Sequence, residues 1–131
     1  MTSIPFLDLE PAYLELRREI EAAVLASLQS GCYIGGPEVS SFEDEFAAYT
    51  GAGHCVGVAN GLDALHLALL AMDVGAGDEV IVPSNTYIAT WLAVSQCVAV
   101  PVPVEPVEST YNMDQDRVEA AITPRTKAIL A

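Results

Sequence analysis

A chain of 131 residues is long enough for one ordinary domain around a single core. Half of it is apolar, and eighteen acidic residues against five basic ones leave a formal net charge of -13. That balance argues against nucleic acid and against a polybasic membrane contact, so an anionic ligand has to be held by local donors. The first residues, Met1 to Asp8, lack the basic and apolar regions of a secretion signal, and no later apolar run reaches membrane-spanning length. A cytoplasmic location is the expectation. Cys32, Cys55 and Cys97 are odd in number and widely spaced, which predicts reduced, mostly buried thiols rather than disulfides or a metal site.

Asp8 to Gln29 reads as a helix with Pro11 in its first turn, Leu14, Ile20, Val24 and Leu28 at helical spacing, and Gly31 past its end. A Gly-Gly-Pro turn at Gly35 to Pro37 leads into a second amphipathic helix. Val39, Phe42, Phe46 and Tyr49 line one side of it, Glu43, Asp44 and Glu45 the other, and Gly51 and Gly53 end it. From Cys55 onward short apolar runs alternate with helical ones, the rhythm of βα units and a parallel sheet. Strands are predicted at Cys55 to Ala59, Val80 to Val82, Ala99 to Val104 and Lys127 to Ala131. Helices are predicted at Leu62 to Met72, Ile88 to Cys97 and Asp116 to Ile122, the first of them apolar nearly all round and so buried on most sides. The final run, Thr126 to Ala131, reads as a buried strand cut short, so the expectation is an incomplete sheet whose apolar area packs against something beyond it. Residues 1–53 are read as a helical segment and residues 54–131 as the first part of an α/β domain.

Asn60-Gly61-Leu62-Asp63 falls between a predicted strand and a predicted helix, where the first free N–H groups of the helix point into the crevice at the carboxyl end of a sheet. Those donors and the helix dipole suit a phosphate. The run is neither Gly-x-Gly-x-x-Gly nor a Walker loop, and read alone it fits a plain strand-turn-helix corner better than a phosphate site. Asp63 would repel a phosphate unless its carboxylate is turned aside. Tyr87, after Pro83-Ser84-Asn85-Thr86, should emerge at the same edge, where its ring could lie over a flat heteroaromatic group; a core tyrosine opening a helix is the plainer alternative. Trp91 reads as core or interface. His54 and His66 have neither metal-ligand spacing nor a nucleophile nearby, and Glu105, Glu108 and Asp114 read as a solvated acidic loop.

Several stretches taken together are specific. They are Pro5-Phe6-Leu7-Asp8, Tyr33-Ile34-Gly35-Gly36-Pro37-Glu38-Val39, Phe42-Glu43 with Phe46-Ala47 and Tyr49, Asn60 to Leu65, Gly77 to Pro83, and Ala121-Ile122-Thr123. Across nearly its whole length the chain resembles the N-terminal part of the sugar aminotransferases of the DegT/DnrJ/EryC1/StrS group, which are fold type I pyridoxal-phosphate enzymes. The run Pro83 to Trp91 resembles the branch that aminates C3 of nucleotide-linked 3-keto-6-deoxyhexoses. The resemblance implies an α/β fold, namely N-terminal helices followed by the start of the parallel-sheet large domain, truncated in a strand. It puts the phosphate of pyridoxal 5'-phosphate on the backbone of Gly61 and Leu62 and the pyridine ring against Tyr87. Many relatives carry Thr or Ser where Leu62 stands, so here only the N–H is on offer. The loop from Tyr33 to Pro37 is implied to lie near the dimer interface and the sugar nucleotide.

The resemblance further implies that the Schiff-base lysine and the acid facing the pyridinium nitrogen fall beyond residue 131. The one lysine present, Lys127, matches a structural position. No catalytic residue is therefore assigned within this span, and the span alone is expected to be inactive. The implied activity is transamination of a nucleotide-linked keto sugar, with glutamate or glutamine as amino donor and a homodimer as the working form. The alternatives are a pyridoxal-phosphate sugar dehydratase on the same frame, or a non-catalytic binding module should the protein end at Ala131.

Overall fold

Pro11 opens the first helix, where its missing N–H costs nothing, and Gly31 closes it in the left-handed region at φ 68°. This helix, α1 (Glu10–Ser30), is followed by α2 (Pro37–Thr50), which starts at Pro37 and stops where Gly51 turns left-handed at φ 71° and donates its N–H back to Ala47 O and Ala48 O. The computed structural model describes residues 4–131. The chain divides into two units, Met1–Gly57 and Val58–Ala131. In the first, Phe42 and Phe46 stack with ring centroids 5.5 Å apart on the apolar side of α2. The Glu43 carboxylate accepts from the Gly57 N–H at 2.6 Å, tying the segment after α2 back to it. No residue of α1 is buried, and Leu14, Ile20, Val24 and Leu28 all stand exposed.

The second unit runs α3 (Gly61–Ala71), β1 (Glu79–Pro83), α4 (Ile88–Gln96), β2 (Val100–Val104), α5 (Gln115–Ala121) and β3 (Thr126–Ile129). The three strands are parallel in the order β2-β1-β3. Their order follows from composition. Val80, Ile81 and Val82 are buried without alternation, the mark of a central parallel strand covered on both faces. In β2 the Val-Pro alternation removes every second N–H, which a strand survives only at an edge, with its valines left to bond inward. Val100 accordingly donates to Asp78 O at 2.9 Å. Leu69, Val74, Val80, Val82, Ala93, Val94, Cys97 and Ala99 form the core, with Leu62, Leu65 and Trp91 packed on it.

Five expectations need correction. Thr126 to Ala131 is not a buried strand: β3 stops at Ile129, and as an edge strand of the described sheet it has no buried residue. Cys55 to Ala59 is not a strand, because a strand exists only when its backbone pairs with a neighbour and no sheet partner faces this segment among the described residues. The α3 helix is not buried on most sides: only Leu69 is fully covered, while Leu67 is 50% and Leu70 45% exposed, since the helix packs through one face. The thiols are not mostly buried, for Cys32 is exposed, Cys55 half-buried and only Cys97 buried. Asp114 is no loose solvated acid. It caps α5 by accepting from the N–H groups of Asp116 and Arg117, and it ion-pairs with Arg117 at 3.2 Å.

A further constellation anchors the sheet through the buried Glu79. Glu79, at the start of β1, accepts from the Thr123 hydroxyl and from the Arg125 guanidinium, whose Nε lies 2.9 Å away. These bonds, the Thr123 hydroxyl first and Arg125 second, hold the Glu79 carboxyl below its ordinary range. They also lock the turn before β3 to the central strand. No helix among the described residues is long and apolar enough to cross a membrane.

Candidate functional site

Asn60 is the N-cap of α3. Its Oδ1 accepts from the Asp63 N–H at 2.9 Å, and its Nδ2 donates to Asp63 Oδ2 at 3.0 Å. One residue thus satisfies the third donor of the helix and ties up an oxygen of the carboxylate that would otherwise oppose an anion. The Ala64 N–H is spent on Asn60 O at 3.1 Å. The N–H groups of Gly61 and Leu62 have no acceptor among the described residues, as the first two positions of a helix require. A Cβ built on Gly61 meets nothing within 4 Å, so packing inside the chain does not demand glycine there.

The β1 strand delivers the second half of the site. After Pro83 the chain turns through Ser84 to Thr86 and enters α4 with Tyr87 as its N-cap. Tyr87 is 80% exposed, and among the described residues no aromatic ring stacks on it. Gly61, Leu62 and Tyr87 line one open cavity of about 700 Å³, completed by Asn60, Leu65, Ile88, Ala89, Thr90 and Leu92. The structure therefore brings together three of the four residues singled out from the sequence. The fourth, Tyr33, belongs to the first unit, in the stretch between α1 and α2, where its hydroxyl donates to Leu28 O at 3.1 Å and its ring is exposed.

The surroundings explain the roles of neighbouring residues. Trp91 donates its indole N–H to Pro83 O at 3.2 Å and packs on the core, which fixes α4 against the end of β1 and makes it a supporting residue. Lys127 bonds Asp73 O and lies 3.5 Å from Asp78 Oδ2, a structural engagement at the other end of the sheet from Pro83. Sequence reasoning missed Asn60 as the cap and Thr90 as a lining residue. The spacing Asn60-x-x-Asp63, a capping pair ahead of an apolar run, could have revealed the first.

Residues 14–131 match the DegT/DnrJ/EryC1/StrS aminotransferase family. The chain belongs to that family. It is 61% identical over 127 residues to the erythromycin biosynthesis sensory transduction protein EryC1 of Saccharopolyspora erythraea, covering 97% of this chain and 35% of that protein. It is 59% identical over 127 residues to the dTDP-3-amino-3,4,6-trideoxy-alpha-D-glucose transaminase of Streptomyces venezuelae, covering 97% of this chain and 34% of the relative. The crystal structure of S. venezuelae DesV in complex with a ketimine intermediate superposes with a TM-score of 0.93 at 57% identity, over 98% of this chain and 35% of that one. The chain spans about a third of the length of these DegT/DnrJ/EryC1/StrS relatives. The parallel α/β arrangement is that of the family's aminotransferase fold.

Proposed function

We propose that this chain supplies the phosphate cradle and ring face of a pyridoxal-phosphate aminotransferase that acts on a nucleotide-linked keto sugar, in the manner of a dTDP-3-keto-6-deoxyhexose 3-aminotransferase. The observation that carries the reading is that Gly61 and Leu62, whose N–H groups have no acceptor among the described residues, line one cavity with the exposed Tyr87. Pyridoxal 5'-phosphate is the cofactor used by aminotransferases of this family, and these residues fit its two ends. The N–H pair at the start of an eleven-residue helix favours a phosphate, the dipole alone by about 0.3–1 kcal/mol and up to about 2 when partly buried. Tyr87 offers an aromatic face that adds about 0.5–1.5 kcal/mol beyond burial. Leu62 contributes only its backbone donor and an apolar wall.

The bound cofactor would supply the electron sink for moving an amino group onto a ketone. This chain's part is to hold and orient. Gly61 and Leu62 anchor the anionic end, Asn60 keeps the Asp63 carboxylate occupied, and Tyr87 fixes the plane of the ring. Tyr33 is proposed to lie near the sugar nucleotide. Residues 1–53 are taken as the helical segment and 54–131 as the beginning of the cofactor-binding domain. Glutamate or glutamine as amino donor, a homodimer and a cytoplasmic location complete the reading.

The test is direct. The protein, as its source encodes it, is incubated with pyridoxal 5'-phosphate, glutamate or glutamine, and a dTDP-linked 3-keto-6-deoxyhexose, and the sugar product is analysed by mass spectrometry. An amino sugar supports the reading. A dehydrated product would assign the protein to dehydration on the same frame, and an unchanged substrate with no bound cofactor would overturn the cradle itself.

A further inference from the structure

Tyr87 opens α4 without capping it: its backbone lies at φ -65° and ψ 142°, and its side chain accepts no bond from the first turn. An exposed ring at such a position has only its Cα–Cβ direction to aim it. Two threonines flank it in the chain. Thr86, immediately before Tyr87, and Thr90, one turn later, bring their hydroxyl oxygens within 3.0 Å, both partly buried. The Thr90 N–H also donates to Tyr87 O at 3.1 Å, so the backbone of Tyr87 is held between the two threonines. Asn85 donates its amide to Tyr111 O at 3.2 Å and steadies the approach to the turn. Thr90 also lines the cavity that holds Gly61, Leu62 and the Tyr87 ring.

We propose that Thr86 and Thr90 are a pair of positioning residues whose hydroxyl-to-hydroxyl bond ties the residue before Tyr87 to the first turn of α4 and aims the Tyr87 ring across the cavity. The proposal rests on the reading of this cavity as the cofactor site. Valine at either position keeps the branched shape and removes the bond, whereas serine keeps the bond and removes a methyl group.

The experiment follows the visible circular dichroism that pyridoxal 5'-phosphate acquires in the chiral pocket, its affinity, and the thermal midpoint, in the protein as its source encodes it and in T90V, T90S, T86V and the T86V/T90V double variant. Each single valine variant is expected to weaken cofactor affinity about threefold, the scale of one lost hydrogen bond, and to change the induced band at saturating cofactor. T90S should match the parent, and the double variant should be no weaker than either single one, because both remove the same bond. A purely structural role would lower the thermal midpoint and leave the saturated band unaltered. Valine variants with the parent's band and affinity would overturn the proposal, as would a double variant that loses the sum of the two. If T90V does not fold, T86V removes the same bond from the other side and carries the comparison. A parent protein that binds no cofactor would instead overturn the reading of the cavity.

Discussion

Asn60 and Asp63 exchange hydrogen bonds across the first turn of α3, Oδ1 to the Asp63 N–H at 2.9 Å and Nδ2 to Asp63 Oδ2 at 3.0 Å. The exchange settles which donors of that helix stay free. N60A should cost about 0.5–2 kcal/mol of stability through the lost cap. It should also weaken cofactor affinity, because the Asp63 carboxylate is released beside the cradle. Thermal melts with and without pyridoxal 5'-phosphate separate the two effects, and the ligand-induced rise in Tm should shrink in the variant.

Gly61 provides a cleaner separation of folding from binding. A Cβ there meets nothing within 4 Å and no left-handed backbone forbids it, so G61A should be neutral or stabilising by up to ~1 kcal/mol. The added methyl group crowds the phosphate approach, and affinity should fall about tenfold, equivalent to ~1.4 kcal/mol. L62T, which adds a hydroxyl beside the same donors, should raise it. Isothermal titration with the cofactor checks both directions.

Stability should fall in acid through Glu79. The Thr123 hydroxyl and Arg125 hold its carboxyl below the ordinary range, so the unfolded chain binds this proton first and stability rises with pH across the interval between the two values. The contribution is fully present above the unfolded value of about 4.3 and is lost as pH falls through the lower folded value. In E79Q that part of the acid dependence should disappear, at the cost of a weaker bond to Arg125. Urea melts between neutral pH and pH 3 test it.

Thiol labelling should follow exposure. Cys32 should react first, Cys55 next and Cys97 last, since burial both hides the Cys97 thiol and pushes its pKa up. Mass spectrometry over a time course of iodoacetamide treatment would give the order, and early loss of Cys97 would mean that α4 separates readily from the core.

Much of this was legible in the sequence, for identifiable reasons. Pro11, Gly31, Pro37 and Gly51 carry helix boundaries in their own backbone chemistry, so α1 and α2 fall within two residues of expectation at the ends those residues govern. Val80 to Val82 reads as a strand by composition alone, and β1 covers it. What failed needed knowledge of partners. Cys55 to Ala59 has no neighbour to pair with among the described residues, and α3 has an apolar surface wider than the face the rest of the unit covers. Gly61, Leu62 and Tyr87, singled out from the sequence because each stands at the start of a helix, line one cavity in the structure. The bond between Thr86 and Thr90 was not, because two ordinary threonines acquire meaning only once the turn places them face to face.

The most direct test of the central claim is the affinity for pyridoxal 5'-phosphate of the protein as its source encodes it, compared with its Y87A variant. Tyr87 is 80% exposed and supports no core contact, so Y87A should keep the parent's Tm. Saturable binding by the parent and an affinity about two- to tenfold weaker in Y87A, the scale of one aromatic face, are expected. Equal affinities at equal stability would contradict the assignment of this cavity as the place where cofactor ring and phosphate are held.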